Sequence, residues 1–129
     1  MGRLVDQKDH ITLLRAVLIL KKELDLEILI IGEGKNKKNL QNFIKENNLN
    51  KNVKILNYTN NPFPHIRRSN IFVLTSKFEG LPNVLLEAIL LNNFIISTDC
   101  KTGPKEILDN GKGGDLIKIG DELSLSNKI

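Results

Sequence analysis

The sequence has little of several residue types, and each shortage excludes a class of protein. A single cysteine, Cys100, excludes an internal disulfide and any metal site built on several thiolates. The two histidines, His10 and His65, are far apart, so these three residues are assigned to packing or surface roles. No apolar run approaches the roughly 20 residues that span a bilayer. The N-terminal residues lack the cationic and apolar regions of a secretory signal.

Aromatic residues are also scarce, with five phenylalanines, one tyrosine and no tryptophan. The 19 basic residues are scattered among 15 acidic ones and give a net charge of +4. No basic stripe with interleaved aromatics is present, so nucleic acid is not expected as a partner. We expect a cytoplasmic protein with at most peripheral membrane contact. The remaining composition, 40% hydrophobic over 129 residues, fits one globular domain.

Short apolar runs alternate with helical patterns along the chain. The patterns predict strands at 27–31, 53–56, 71–75, 94–98 and 116–119. They predict helices at 10–23, 37–47, 62–69, 83–92 and 104–109, and another from 121 onward. Asp9 is expected to cap the first helix, and Pro82 to occupy the first position of the fourth. This alternation predicts an α/β domain with a doubly wound, mainly parallel, Rossmann-like sheet.

Two glutamates, Glu79 and Glu87, flank a glycine-proline turn that opens an apolar helix. Glu87 is the only charged residue between Leu81 and Thr98, and a lone buried carboxylate costs several kcal/mol unless it is paired. Ligands of open α/β sheets bind beyond the carboxyl ends of the strands, where the N–H groups of a helix start can hold a phosphate. A phosphate at this turn, with sugar hydroxyls on Glu87, is one interpretation. A core lysine or arginine paired with Glu87 is the other.

Five motifs, in the same order along the chain, resemble those of family 4 glycosyltransferases. They are Gly2-Arg3-Leu4 with Lys8, Ile31-Gly32-Glu33-Gly34, the glutamates Glu79 and Glu87 with seven residues between them, Ser97-Thr98-Asp99-Cys100, and Gly103-Pro104-Lys105-Glu106-Ile107-Leu108. Enzymes of this family have the GT-B fold, move a sugar from a nucleotide donor with retention of configuration, and work without a bound metal. The resemblance covers essentially the whole chain.

The resemblance implies a role for individual residues. Arg3 and Lys8 would neutralise the donor diphosphate, and Glu79 would bond hydroxyls of the donor sugar; these three are the expected catalytic residues. Glu87 would bond the ribose hydroxyls. The other expected substrate contacts are Gly34, Tyr58, Gly80, Leu81, Pro82, Asn83, Val84, Gly103 and Glu106. No metal and no cofactor is expected beside the nucleotide diphosphate sugar, which is a substrate.

The resemblance also implies a larger enzyme. In the family an acceptor-binding domain precedes Gly2, and the central strand of the donor domain lies directly before it. Residues 1–129 are therefore expected to be a partial donor-binding domain, truncated at both ends. It would transfer a hexose or amino-hexose to a glycan or lipid, and only with an N-terminal partner chain. The alternatives are a non-catalytic nucleotide-binding module, a decayed fragment, and an epimerase of similar fold, for which no acid and base stand out.

Overall fold

Strands and helices alternate along the whole chain in the computed structural model, which describes residues 1–129. The strands are β1 (Ile28–Ile31), β2 (Val53–Leu56), β3 (Ile71–Leu74), β4 (Phe94–Thr98) and β5 (Asp115–Ile117). The helices are α1 (His10–Leu20), α2 (Lys37–Glu46), α3 (Phe63–Arg68), α4 (Asn83–Leu90), α5 (Pro104–Ile107) and α6 (Glu122–Lys128). Each predicted element is present, with its ends shifted by a few residues at most. No helix has the length and apolar character needed to span a membrane.

All strand pairs are parallel, as predicted, but the strands form two sheets instead of one. One sheet pairs β1 with β2, and the other has the order β3-β4-β5. A cavity of about 140 Å³ lies between them and is lined by every residue of β1 and β3. The gap between β1 and β3 lies at the position that the central strand of the donor domain occupies in the family that the chain resembles.

The edges of β1 and β3 that line this cavity carry unpaired main-chain groups. In a parallel ladder, alternate residues bond to the neighbours on opposite sides. Ile28 bonds toward β2, so the N–H and C=O groups of Leu29 point to the cavity. Asn70, just before β3, bonds toward β4, so Val73 also points to the cavity. The two half-sheets therefore present facing edges.

The core lies on both faces of the sheet. In β4, the neighbouring residues Ile95 and Ile96 are both buried but belong to different hydrophobic clusters. Ile96 packs with Leu14 of α1 and Leu125 of α6, whereas Ile95 packs with Leu85 of α4. Each fully buried side chain of this size contributes about 1.5–3 kcal/mol. Helices on both faces explain why the first three residues of β4, Phe94 to Ile96, are all apolar.

Two predicted helix starts differ from the structure. Asp9 precedes α1 but has a left-handed backbone (φ 43°), and its carboxylate accepts the Thr12 hydroxyl at 2.8 Å instead of a main-chain N–H. Pro82 stands one residue before α4, with ψ 84°, so that the helix begins at Asn83. Its carbonyl accepts the N–H of Leu85 at 2.8 Å. The proline therefore ends the turn instead of forming the first helical residue.

Candidate functional site

The loops that follow β3 and β4 are joined at the carboxyl edge of the sheet. The Thr98 hydroxyl, at the end of β4, donates to the carbonyl of Ser76 at 2.6 Å. The Thr102 hydroxyl donates to the carbonyl of Glu79. Because both carbonyls belong to the loop after β3, the two loops form one structural unit around Glu79.

Gly103 brings the second loop against the glycine-proline turn. Its φ is +91°, and a Cβ there would lie 2.5 Å from the carbonyl oxygen of Gly80 and 2.7 Å from Cδ of Pro82. Both the conformation and the space therefore require glycine. By contrast, a Cβ on Gly80 would meet nothing within 4 Å. The predicted substrate contacts Gly80, Pro82 and Gly103 are thus neighbours.

Lys8 reaches the same site from the N-terminal loop. Its Nζ lies 2.6 Å from Oε1 of Glu79, and the two side chains are only 15% and 7% exposed. The main chain of Lys8 is fixed by the Thr75 hydroxyl, which donates to its carbonyl at 2.9 Å. Gln7 adds a bond from its side-chain amide to the carbonyl of Phe78 at 2.9 Å. Two of the predicted catalytic residues, Lys8 and Glu79, therefore form a largely buried ion pair.

Glu87 lies on α4 beyond the turn and has no partner within the protein. It is half-buried, not fully buried as the apolar helix suggested. Its carboxylate forms no ion pair with any lysine or arginine of residues 1–129, and no hydrogen bond. The alternative of a core glutamate paired with a lysine or arginine is therefore not observed within residues 1–129, and contact of Glu87 with a ligand stays a prediction.

Arg3 and Gly34 lie where the N-terminal loop crosses the loop after β1. The Arg3 side chain is exposed and bonds no protein group. The Leu4 N–H donates to the carbonyl of Glu33 at 2.8 Å, and a Cβ on Gly34 would collide with the Leu4 carbonyl oxygen. The close chain crossing thus explains why residue 34 is glycine. Contact of Gly34 or Arg3 with a ligand stays a prediction.

The remaining predicted contacts vary in exposure. The exposed ones are Tyr58, Leu81, Asn83 and Glu106, whereas Val84 is half-buried. Tyr58 follows β2, in the other sheet, and its hydroxyl forms no hydrogen bond with the cluster around Glu79. Glu106 on α5 forms no ion pair. Their roles toward a ligand stay predictions.

Of the three residues assigned to packing or surface roles, Cys100 and His10 lie close to this site. Cys100 is buried, and the pKa of its thiol is raised by burial and, to a smaller degree, by the charge of Glu79. Burial lowers the pKa of His10 to about 4, with smaller contributions from the Met1 amino group and Lys8. His65 is exposed. No group of three or more His, Cys, Asp or Glu side chains within residues 1–129 is arranged to hold a metal ion.

The sequence reasoning missed three hydroxyls of this site, those of Ser76, Thr98 and Thr102. Ser76 donates to Oε1 of Glu79 at 2.5 Å, and it is fully buried. Thr98 belongs to a motif quoted above but was given no role. Their positions in the loops directly after β3 and β4 were the available signal, because the carboxyl ends of parallel strands share one edge.

The parallel α/β architecture with its carboxylate-bearing turn at the strand ends is that of a sugar-transferring enzyme domain of the GT-B type. The family model described as "Glycosyl transferases group 1" matches residues 1–129. The chain belongs to this family.

Several relatives of the chain are named as glycosyltransferases. An uncharacterized glycosyltransferase of Methanocaldococcus jannaschii is 45% identical over 130 residues, covering 100% of this chain and 29% of the relative. An N-acetylgalactosamine-N,N'-diacetylbacillosaminyl-diphospho-undecaprenol 4-alpha-N-acetylgalactosaminyltransferase of Campylobacter jejuni is 37% identical over 125 residues, covering 97% and 34%. The chain thus spans about a third of the length of these relatives.

Solved structures agree in fold. A TarM mutant of Staphylococcus aureus, crystallised with Fondaparinux, alpha-GlcNAc-glycerol and UDP, superimposes with a TM-score of 0.91 at 28% identity, covering 98% of this chain and 27% of that one. The C-terminal domain of LpcC, a glycosyl transferase group 1 family protein of Francisella tularensis, gives a TM-score of 0.85 at 26% identity, covering 99% and 70%. Residues 1–129 thus match about 70% of that C-terminal domain in fold.

Proposed function

We propose that residues 1–129 bind the nucleotide diphosphate sugar donor of a retaining, family 4 glycosyltransferase. The observation that carries this proposal is the arrangement around one turn at the end of β3. On one side of the turn Glu79 is held by Lys8 at 2.6 Å, and on the other Glu87 has no protein partner. A carboxylate left free beside a helix start suits a ligand that combines phosphates with sugar hydroxyls.

The positive charges of the site act on the diphosphate. Lys8 has three N–H donors, so it can keep its bond to Glu79 and also donate to a phosphate oxygen. Arg3, exposed and without a protein partner, supplies a second cation. Fixed cations stabilise the charge that develops on the leaving diphosphate. We propose that these two side chains supply the charge that a metal ion supplies in other sugar transferases.

The two glutamates recognise different parts of the donor. Glu79, next to the joined loops, bonds hydroxyls of the transferred sugar, and Glu87, further along α4, bonds the ribose. The relative from Campylobacter jejuni is named for N-acetylgalactosamine transfer, which supports a hexose or N-acetylhexosamine as the sugar. The proposed acceptor is a glycan or a lipid, and the proposed location is cytoplasmic.

The acceptor site is proposed to lie outside residues 1–129. The relatives are about three times as long as this chain. The proposed function requires that an enzyme of that length also contains an N-terminal acceptor domain. The chain alone should therefore transfer little or no sugar. Incubation with UDP-sugars and glycan or lipid acceptors tests this point, and rapid transfer without any added acceptor-domain chain would contradict it.

Calorimetric titration with UDP and UDP-N-acetylglucosamine tests donor binding directly. Glu87→Gln should weaken the binding of both ligands by roughly 10- to 100-fold, as for the loss of hydrogen bonds to a charged group. Glu46→Gln, an exposed glutamate of α2, is the matched control and should bind as the wild type does. Absence of binding to any nucleotide diphosphate by the folded wild-type chain would overturn the proposal.

A non-catalytic nucleotide-binding module is the second candidate, favoured by the interruption of the sheet between β1 and β3. A non-catalytic module should bind nucleotides as tightly as the donor-binding domain of an active enzyme. It differs in that no sugar transfer should appear when an acceptor domain from a relative is added. Transfer in that mixture would exclude the module.

A further inference from the structure

One oxygen of Glu79 receives both of the hydrogen bonds that its carboxylate accepts. Lys8 Nζ lies 2.6 Å and Ser76 Oγ 2.5 Å from Oε1. The other oxygen, Oε2, accepts no hydrogen bond from the protein and is not sealed from solvent. Ser76 is fully buried, so its hydroxyl is unavailable to a ligand. Oε1 of Glu79 is therefore fixed by two protein donors, whereas Oε2 is available to accept a hydrogen bond from a ligand.

We propose that Ser76 is a positioning residue, which sets the plane of the Glu79 carboxylate so that Oε2 is presented to the donor sugar. This inference deepens the proposed function and rests on it. The terminal torsion of a glutamate is broad and two-fold, so one donor alone leaves the carboxylate free to turn. Two donors from different directions on Oε1 fix both that oxygen and the plane.

The main chain around Glu79 is fixed independently of the Ser76 hydroxyl. Thr98 donates to the carbonyl of Ser76 at 2.6 Å, and Thr102 donates to the carbonyl of Glu79. Both donors come from the loop after β4. Removal of the Ser76 hydroxyl thus leaves the loop in place and releases only the carboxylate. This separates a positioning role from a purely structural one.

The two glutamates are proposed to contact different parts of the donor, so the effect of Ser76 on Glu79 can be measured separately from any effect on Glu87. Glu79 contacts the sugar and Glu87 the ribose, so a turned Glu79 should affect a UDP-sugar but not UDP. Ser76→Ala should therefore leave the Kd of UDP within about twofold and raise the Kd of UDP-N-acetylglucosamine roughly tenfold, the size expected for a charge-assisted hydrogen bond. Ser76→Thr, which retains the hydroxyl, should restore part of the sugar-dependent affinity.

Titration calorimetry on the purified chain provides the test. The matched control is Ser126→Ala, because Ser126 is also buried and its hydroxyl bonds the carbonyl of Leu123 on α6. In a Glu79→Ala background, Ser76→Ala should have no further effect on the UDP-sugar, since it acts only through the carboxylate. Equal losses of affinity for UDP and UDP-sugar, or a full effect of Ser76→Ala without Glu79, would overturn the inference.

A crystal structure of Ser76→Ala separates the failure of this inference from the failure of the proposed function. The expected result is a rotated Glu79 carboxylate, with Lys8 still bonded to it and the main chain unmoved. An unchanged carboxylate would overturn the positioning role whether or not nucleotides bind. A rotated carboxylate in a chain that binds no nucleotide would leave Ser76 as the positioning residue and reject only the donor-binding function.

Discussion

Gly103 and Gly80 lie so close together that a Cβ on Gly103 would stand 2.5 Å from the Gly80 carbonyl oxygen. The contact joins the loop after β4 to the turn before α4. A backbone carbonyl cannot move away as a flexible side chain can, so the close approach depends on the missing side chain. The relationship makes the shape of the turn dependent on a residue more than twenty positions away in the sequence.

Gly103→Ala should therefore lower stability and donor affinity together. The φ of +91° and the contact with Gly80 both oppose a side chain, and together they should cost about 1–3 kcal/mol. Urea denaturation and UDP titration measure the two effects. Gly111→Ala is the matched control, because Gly111 has a similar φ of +95° but open space around its Cβ position. Equal destabilisation by the two changes would show that the contact with Gly80 is unimportant.

The ion pair between Lys8 and Glu79 should contribute more to stability than an exposed pair. A double-mutant cycle with Lys8→Ala and Glu79→Ala should give a coupling energy of about 1.5–3 kcal/mol, the range for hydrogen bonds to charged groups. The comparison pair is Lys54 and Glu27, at 2.7 Å but 60% and 71% exposed. Exposed pairs couple by about 0.2–1 kcal/mol. Similar coupling in both cycles, measured by urea denaturation, would contradict the burial argument.

Sequence patterns predicted the elements of this fold well because the patterns are local. The apolar run 27–31 ends at a glycine, and the strand β1 ends within one residue of it. The pairing of the strands was harder, because a run such as Ile71–Leu74 does not encode its neighbours. The break between β1 and β3 was not predicted: the resemblance places a central strand before Gly2, but no local pattern indicates that the remaining strands form two sheets.

Family motifs predicted some residues of the site but not the contacts between them. Glu79 and Lys8 were named, but their direct bond across 71 residues was not. Ser76 and Thr102 were missed, since a hydroxyl that bonds a distant loop has no periodic signature. The burial of Glu87 was overestimated for a different reason. Its neighbours in sequence are apolar, yet Leu86 and Leu90 of the same helix are exposed, so α4 is less covered than its composition suggests.

His10 should make the stability of the chain depend on pH. Its pKa is lowered from 6.5 to about 4 by burial, so the folded protein keeps it neutral while the unfolded chain takes up a proton below about pH 6.5. The unfolded state then binds more protons, and stability falls as the pH falls through this window. Between pH 6.5 and about 5 the loss should be about 1.5 kcal/mol.

Urea denaturation across this pH range measures the effect of His10. His10→Gln should reduce the slope between pH 6.5 and about 5 and leave the part that comes from the Met1 amino group, whose pKa burial lowers to about 6. His65→Gln, a change at an exposed histidine, is the control for the loss of a histidine side chain. The same slope in wild type and His10→Gln would mean that another group titrates. Carboxylates with lowered pKa, such as Asp121, act only at lower pH, where acid removes their contribution.

The facing edges of β1 and β3 should differ in hydrogen exchange from the paired edges of the same strands. The amides of Ile30 and Phe72 point toward β2 and β4, whereas those of Leu29 and Val73 point to the cavity. After correction for intrinsic rates, the cavity-facing amides should exchange at least about tenfold faster, since no strand protects them.

Exchange followed by NMR on the folded chain distinguishes the two sets of amides. β4 supplies the internal control, because it is paired on both sides and its neighbouring amides Ile96 and Ser97, which point toward β3 and β5, should both be protected. Equal protection of Leu29 and Ile30 would mean that β1 and β3 bond each other in solution and close the cavity. Fast exchange at Leu29 and Val73 alone would establish two half-sheets with open, facing edges, because unfolding of the whole chain would expose all of these amides together.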